Sequence, residues 1–298
     1  MRFVDQLASP LFRRALVEAC LVGALCGVVG VHVLLRKLPF FTLALSHATL
    51  PGVVLASTLG LSLYAGGLAG AAALVLAVVG SARRLDAATA TGVALSGAFA
   101  GGVLLQSARP SASQELTAFL VGDVLTVSAG DLLVTAAVGV TVIAVLAALH
   151  KDLVFTVFDP TGAAAAGYPL TRVELVVLAV IGLTVVTSIP AVGTILVVAL
   201  LVTVPLAARQ WFDRIGPAMA LAALLGATAG ASGLAASAQW DIAAGAAIVL
   251  AATALLALSL VGAAARRRWA AHSCCLMSKP PGGASSLPHL KSPDGRCC

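Results

Sequence analysis

Along this chain, apolar runs of roughly bilayer-spanning length alternate with short polar or basic breaks, the pattern of a protein that crosses a membrane many times. Ala15 to Leu35 ends at Arg36 and Lys37, Leu63 to Gly80 ends before Arg83 and Arg84, and Ala88 to Leu105 gives way to a polar loop, Gln106 to Ser113. Phe40 to Gly60 is apolar enough to enter a bilayer, yet it holds Ser46, His47, Thr49 and Pro51 near its middle. Asp131 to Leu149, Val173 to Ile189, Val192 to Ala208, Ala218 to Ala238 and Ile242 to Ala263 complete nine candidate spans. Glu115 to Leu125 is too short to cross and predicts a surface or half-inserted helix. Only Pro190 and Ala191 separate their two flanking spans, so both must turn at one membrane face. The fold class is therefore all-α: a polytopic membrane bundle of 8–9 transmembrane helices, with a broken or re-entrant segment near His47 as the alternative that changes the count by one.

Composition agrees and narrows the class. Hydrophobic residues make up 60% of the 298, charged residues 10%, and mean hydropathy is +1.06, which excludes a water-soluble globular domain. The net charge of +6 does not point to nucleic acid, because the basic residues fall in scattered pairs between apolar runs. The first apolar run is too long for a cleavable signal peptide and reads as a retained span. Small-residue spacings at Gly23/Gly27, Gly66/Gly70, Gly97/Gly101 and Gly226/Gly230 predict close helix packing. Three regions follow: a lead-in over 1–14, a transmembrane domain over 15–265 with a cytoplasmic loop at 150–172, and a tail over 266–298 that is basic and then rich in Pro, Gly, Ser and Cys.

Charge also orients the bundle. Alternating the loops places eleven basic residues, at Arg36, Lys37, Arg83, Arg84, Lys151, Arg172, Arg209, Arg214 and Arg266 to Arg268, on one side. Four, Arg2, Arg13, Arg14 and Arg109, lie on the other. The crowded side is the cytoplasmic one, which leaves the N-terminus outside against the pull of Arg13 and Arg14.

The candidate chemistry is sparse. A histidine at membrane depth is costly and tends to face a bundle interior or a water-filled path, and Pro51 loosens the backbone beside it, so His47 predicts a polar station in a channel. Its plain alternative is a packed ring bonded to a neighbouring helix. His32 lies late in its span, where it can simply reach the interface. Asp123 and Asp131 fall near a membrane boundary and read as solvated carboxylates. In the 150–172 loop, Asp159 before Pro160, an Ala-rich stretch and Gly167 predict an N-cap, a short projecting helix and a stop, and the loop is the main candidate surface for a protein partner. The tail from His272 predicts disorder, and its tandem Cys274/Cys275 and Cys297/Cys298 lack the spacing of a structural zinc site.

These residues together resemble a known family. LSHATLPGVVLA at Leu45 to Ala56, preceded by VLLRKL, is similar to the signature of the permease subunits of zinc, manganese and iron ABC importers (ABC-3 type metal permeases). FDPTGAAAAGYP at Phe158 to Pro169 and VGTILVVALLVTVPLAA at Val192 to Ala208 resemble two further family segments, and the likeness runs on through Gly233 to Leu250. The resemblance implies a permease that moves a divalent transition metal inward by alternating access, with no intrinsic cofactor. It implies a second permease subunit as a homodimer partner, cytoplasmic ABC ATPases, an extracytoplasmic metal-binding protein and a bacterial plasma (inner) membrane. It makes His47 a metal ligand, Thr42, Ser46 and Thr49 its pathway neighbours, and Asp159, Pro160, Ala164 and Gly167 the coupling helix that docks on the ATPase. The family places an Asp one turn before the His; here that position is Leu43, and Thr42, Ser46, Thr49, Asp123 and Asp241 are the candidates for the missing oxygen. The chain holds no G-x-x-x-x-G-K-[ST] phosphate loop, so it is expected to be a transport subunit and not an enzyme. A permease for a metal chelate or other small solute, and a non-transporting membrane scaffold, are the alternative readings.

Overall fold

The computed structural model describes residues 9–81, 86–107, 122 and 127–277. Among them there is no strand, and eight helices are long and apolar enough to cross a membrane. In chain order the helices are α1 (Pro10–Leu35), α2 (Pro39–Leu59), α3 (Leu63–Ser81), α4 (Ala87–Ser107), α5 (Ala129–Ala148), α6 (His150–Phe158), α7 (Pro160–Ala165), α8 (Leu170–Val192), α9 (Thr194–Arg209), α10 (Ile215–Trp240) and α11 (Ala244–Met277).

Local chemistry sets several of these boundaries. Ser9 caps α1 by accepting from the Phe12 N–H at 3.3 Å, with Pro10 in the first turn, where its missing N–H costs nothing. Ser128 and Asp131 form a reciprocal capping box at the start of α5. Asp131 also accepts from the Tyr64 hydroxyl at 2.7 Å, so the carboxylate expected to be simply solvated instead ties α5 to α3.

The tight connection after Val173 to Ile189 is placed differently from the sequence expectation. Helix α8 runs through Pro190 and stops at Gly193, whose φ of 79° and ψ of 163° suit only glycine. A proline can end a helix internally only if the ladder cannot tolerate the lost bond, and here neighbouring helices hold the backbone in place. Of the two alternatives near His47, the structure has the unbroken helix: α2 is continuous through Pro51. Helix α9, 16 residues long, is the one that falls below spanning length. Of Glu115 to Leu125 only Gly122 is described, packed on the Val192–Gly193 backbone; the rest of that segment, with Arg83, Arg84 and Asp123, lies outside the described residues.

Two groups of helices are bridged by α8 and by packing of α9 on α2. Helices α2, α3 and α4 pack on one another, α1, α9, α10 and α11 form the second group, and α8 touches α1, α2, α3, α5 and α9. Glycine decides how closely they approach: a Cβ on Gly23 would lie 2.2 Å from the Gly226 carbonyl oxygen, and one on Gly70 would lie 2.4 Å from that of Ala48. The Gly97/Gly101 pair does not pack as its spacing suggests, because nothing lies within 4 Å of a Cβ at either position and α4 leaves that face open. Within the stretch from His272 that predicts disorder, α11 runs on to Met277; residues 278–298 lie outside the described residues.

Candidate functional site

Helix α2, the second span, carries a set of polar residues near its middle. Thr42, Ser46 and Thr49 follow one another at helical spacing and are fully buried. Each hydroxyl donates to a carbonyl one turn back: Thr42 to Pro39 at 2.7 Å, Ser46 to Thr42 at 3.0 Å, Thr49 to Ser46 at 2.7 Å. That arrangement satisfies the protons within the helix and leaves oxygen lone pairs on the stripe.

His47 lies about 100° around the helix from Ser46, on a more open face. The ring is half-buried, its Nδ1 is buried with no hydrogen-bond partner, and Phe99 of α4 meets it edge-on at 5.7 Å between centroids and 84° between planes. Proline at 51 has no N–H with which to satisfy the carbonyl four residues before it, and that carbonyl belongs to His47. One residue thus offers both an imidazole nitrogen and a backbone oxygen released from the helical ladder. Leu43, where the carboxylate of the resembled family would stand, is 36% exposed on the same face and presents only hydrocarbon.

The structure does not gather the other oxygen candidates around His47. The Ser/Thr stripe faces elsewhere on α2, Asp123 lies outside the described residues, and Asp241 is exposed at the left-handed end of α10, a helix that packs on α1, α9 and α11. Among the described residues no group of three or more His, Cys, Asp or Glu is placed to hold a metal ion.

Two buried groups depart from or escape the sequence reading. His32 does not reach the interface: it is 2% exposed, and neither ring nitrogen has a partner. Glu18 is fully buried in α1, with Oε1 accepting from the Thr135 hydroxyl of α5 at 2.6 Å and Oε2 unpartnered. The rule that singled out His47, an ionisable group inside an apolar span, applied equally to Glu18 and could have found it.

The basic end of the bundle is tied together by short loops. Asp159 caps α7, its Oδ1 accepting from the Gly162 N–H at 2.8 Å, and a Cβ on Gly162 would collide with that carboxylate at 2.1 Å. Gly167 ends the turn with φ 80°. Ala163 is buried and anchors α7, Phe155 and Tyr168 pack edge-on at 5.4 Å between centroids behind it, and Ala164 faces outward. Arg36, at the turn joining α1 to α2, donates from Nη2 to Thr156 of α6 at 3.0 Å across a cavity of about 290 Å³ that Pro160 and Glu174 also line. Burial pulls the Arg36 guanidinium below its ordinary value, and Glu174 pulls it part of the way back. On the far side of α6, Val154 and Phe158 share a second cavity with Arg214, so Arg36, the α7 turn and Arg214 lie at one end.

Eight helices long and apolar enough to cross a membrane, packed on one another through close glycine contacts, define a multi-pass membrane protein. Residues 8–263 match the model of the ABC 3 transport family, and the chain belongs to that family. It is 35% identical over 260 residues to the manganese transport system membrane protein MntC of Halalkalibacterium halodurans, covering 86% of this chain and 89% of the relative. It is 34% identical over 255 residues to the zinc transport system membrane protein TroC of Treponema pallidum, covering 80% and 85%. The solved PsaBC structure from Streptococcus pneumoniae in complex with Fab superposes with a TM-score of 0.79 at 31% identity, over 86% of this chain and 94% of that one. The family suggested by the four ordered motifs, that of metal ABC importer permeases, is the one these similarities establish, and the chain is a multi-pass membrane protein.

Proposed function

We propose that this permease passes a divalent transition metal, zinc, manganese or iron, inward across a bacterial plasma (inner) membrane by alternating access. His47 carries the reading: an imidazole at mid-membrane with Nδ1 buried and unpartnered, next to its own carbonyl freed by Pro51. Nitrogen and backbone oxygen together suit such ions; Thr42, Ser46 and Thr49 line the pathway from another face of the same helix rather than ligating beside His47. The manganese and zinc transport named for MntC and TroC supports the class of cargo.

Energy comes from outside the chain. Cytoplasmic ABC ATPases dock on Asp159 to Gly167, where Ala164 faces outward and Ala163 anchors the helix. The Arg36–Thr156 hydrogen bond joins α6, directly before that helix, to the turn that leads into α2, so displacement of α7 reaches the His47 helix through one short connection. A second copy of the permease completes the path, and an extracytoplasmic metal-binding protein delivers the ion.

Leu43 favours a second reading, that the cargo is a metal chelate bringing its own oxygen ligands, because the face it shares with His47 lacks the carboxylate a bare ion would want. Uptake of radiolabelled manganese and zinc, free and chelated, by His47→Ala in complex with its ATPase separates the two. The ion reading expects free-ion uptake to vanish with assembly intact and Leu43→Asp to strengthen it. Normal free-ion uptake by His47→Ala would overturn it, and uptake confined to the chelate in the unaltered protein would install the second reading.

A further inference from the structure

On the outer surface of the bundle, α10, α11 and the end of α9 leave a groove of about 480 Å³ between them. That volume lies within the range of small-ligand sites, about 300–1,000 Å³. Leu221 and Leu225, one turn apart on α10, and Leu255 and Leu258 of α11 line it, and Leu258 is 68% exposed. The walls are therefore mostly hydrocarbon, and an exposed apolar wall on membrane-spanning helices suits an acyl chain.

Its polar end is built and fixed. The Trp211 indole N–H donates to Ser259 at 2.8 Å, and the Ser259 hydroxyl donates to the Ala207 carbonyl at 2.7 Å. Gly262 lies on the same stripe of α11, where a Cβ would stand 3.1 Å from the indole ring; the glycine lets the ring lie against the helix. One turn on, the Arg266 guanidinium carbon sits 5.1 Å from the centre of that ring, and Nη2 donates to the Gln210 carbonyl at 3.3 Å. Arg266 is exposed, and a guanidinium carries five N–H donors, so most of its capacity faces outward.

We infer that this groove binds an anionic phospholipid, with an acyl chain along the four leucines and the phosphate on Arg266. Charge selects the headgroup: Arg266 is the one charged residue among the described residues that line the groove, and it is positive. Guanidinium matches phosphate in shape and charge, and Trp211 lies where interfacial tryptophans anchor membrane proteins. A zwitterionic headgroup adds a cation that this rim repels. The groove lies on α9, α10 and α11, away from the His47 face of α2, and its occupation does not depend on what the permease carries.

Trp211 reports on the site directly. Trp240→Phe and Trp269→Phe in the full chain leave it as the sole tryptophan, and in nanodiscs its fluorescence is titrated with acyl-brominated phosphatidylglycerol or phosphatidylcholine. The anionic lipid is expected to quench at a mole fraction about fivefold lower, the bias one basic residue exerts near a membrane surface. Arg266→Gln should erase that difference and Arg266→Lys should keep most of it. Equal quenching by both lipids in the intact protein, or a preference that survives Arg266→Gln, overturns headgroup recognition. Absence of quenching by either lipid overturns the site altogether and hands the groove to the chain's own tail or to a second copy.

Discussion

Gly226→Ala should loosen the α1–α10 contact, the most extensive helix pair in the bundle. A Cβ at 226 would stand 2.0 Å from the Gly23 carbonyl oxygen and 2.5 Å from its carbon, where real Cβ atoms stay beyond 3.0 Å. The obstacle is backbone on both sides, so no rotamer change relieves it and the helices must separate by about 1 Å. That retreat also thins the contacts at Gly27 with Ala222 and at Gly230 with Ala19, whose Cβ positions would lie 2.3 and 2.4 Å from the facing carbonyls. Overpacking of a tight contact costs about 1–3 kcal/mol, and in lipid this packing is itself a main force holding the helices together. At roughly 2–4 °C per kcal/mol for a domain of this order, the apparent Tm in detergent should fall by about 3–10 °C. Gly97→Ala is the matched control: the same chemistry at a position with nothing within 4 Å should shift the Tm by no more than about 1–2 °C. Scanning fluorimetry at one protein concentration decides the matter. Equal Tm values for the two variants would refute the reasoning from backbone approach.

Three further outcomes follow from the same geometry. Ala164→Arg, on the outward face of α7, should uncouple ATP hydrolysis from uptake while the protein still reaches the membrane; unchanged uptake would count against docking there. Thr156→Val removes the acceptor of Arg36 and leaves a second donor of a partly buried guanidinium unpaired beside the already unpartnered Nε, a loss of about 1–3 kcal/mol, with coupling lowered and the ATPase still bound; retained coupling in a pull-down and uptake assay would sink the proposed link. Thr135→Val strips Glu18 of the one hydrogen bond it has among the described residues and should destabilise the α1–α5 contact by about 1–3 kcal/mol, read as a lower Tm, whereas Thr141→Val, on a hydroxyl that bonds only its own helix, should change little.

Much of this protein was legible before any coordinate. Span number and helix class follow from runs of apolar residues, because a backbone in lipid must pair its own polar groups and an unbroken apolar run of about 20 residues does so as a helix, whereas a barrel strand needs about 10 alternating ones. The α7 turn was readable for a similar reason: Asp before Pro, and Gly seven residues later, act through bonds to their own neighbours, and those bonds form as their order dictates. His47 stood out because a titratable ring at membrane depth is rare wherever the helices go.

Tertiary structure decided which surfaces meet. Gly23/Gly27 and Gly97/Gly101 carry the same spacing, yet one pair lies against a facing backbone and the other faces open space, since a small residue permits close approach without specifying a partner. Thr42, Ser46 and His47 are neighbours in sequence, yet the helix turns the hydroxyls into the bundle and the imidazole toward Phe99. Glu18 and Thr135 are 117 residues apart, and their bond exists only because α1 and α5 lie side by side. Composition and periodicity set the local chain; the choice among contacts between distant segments is a property of how all the helices pack at once.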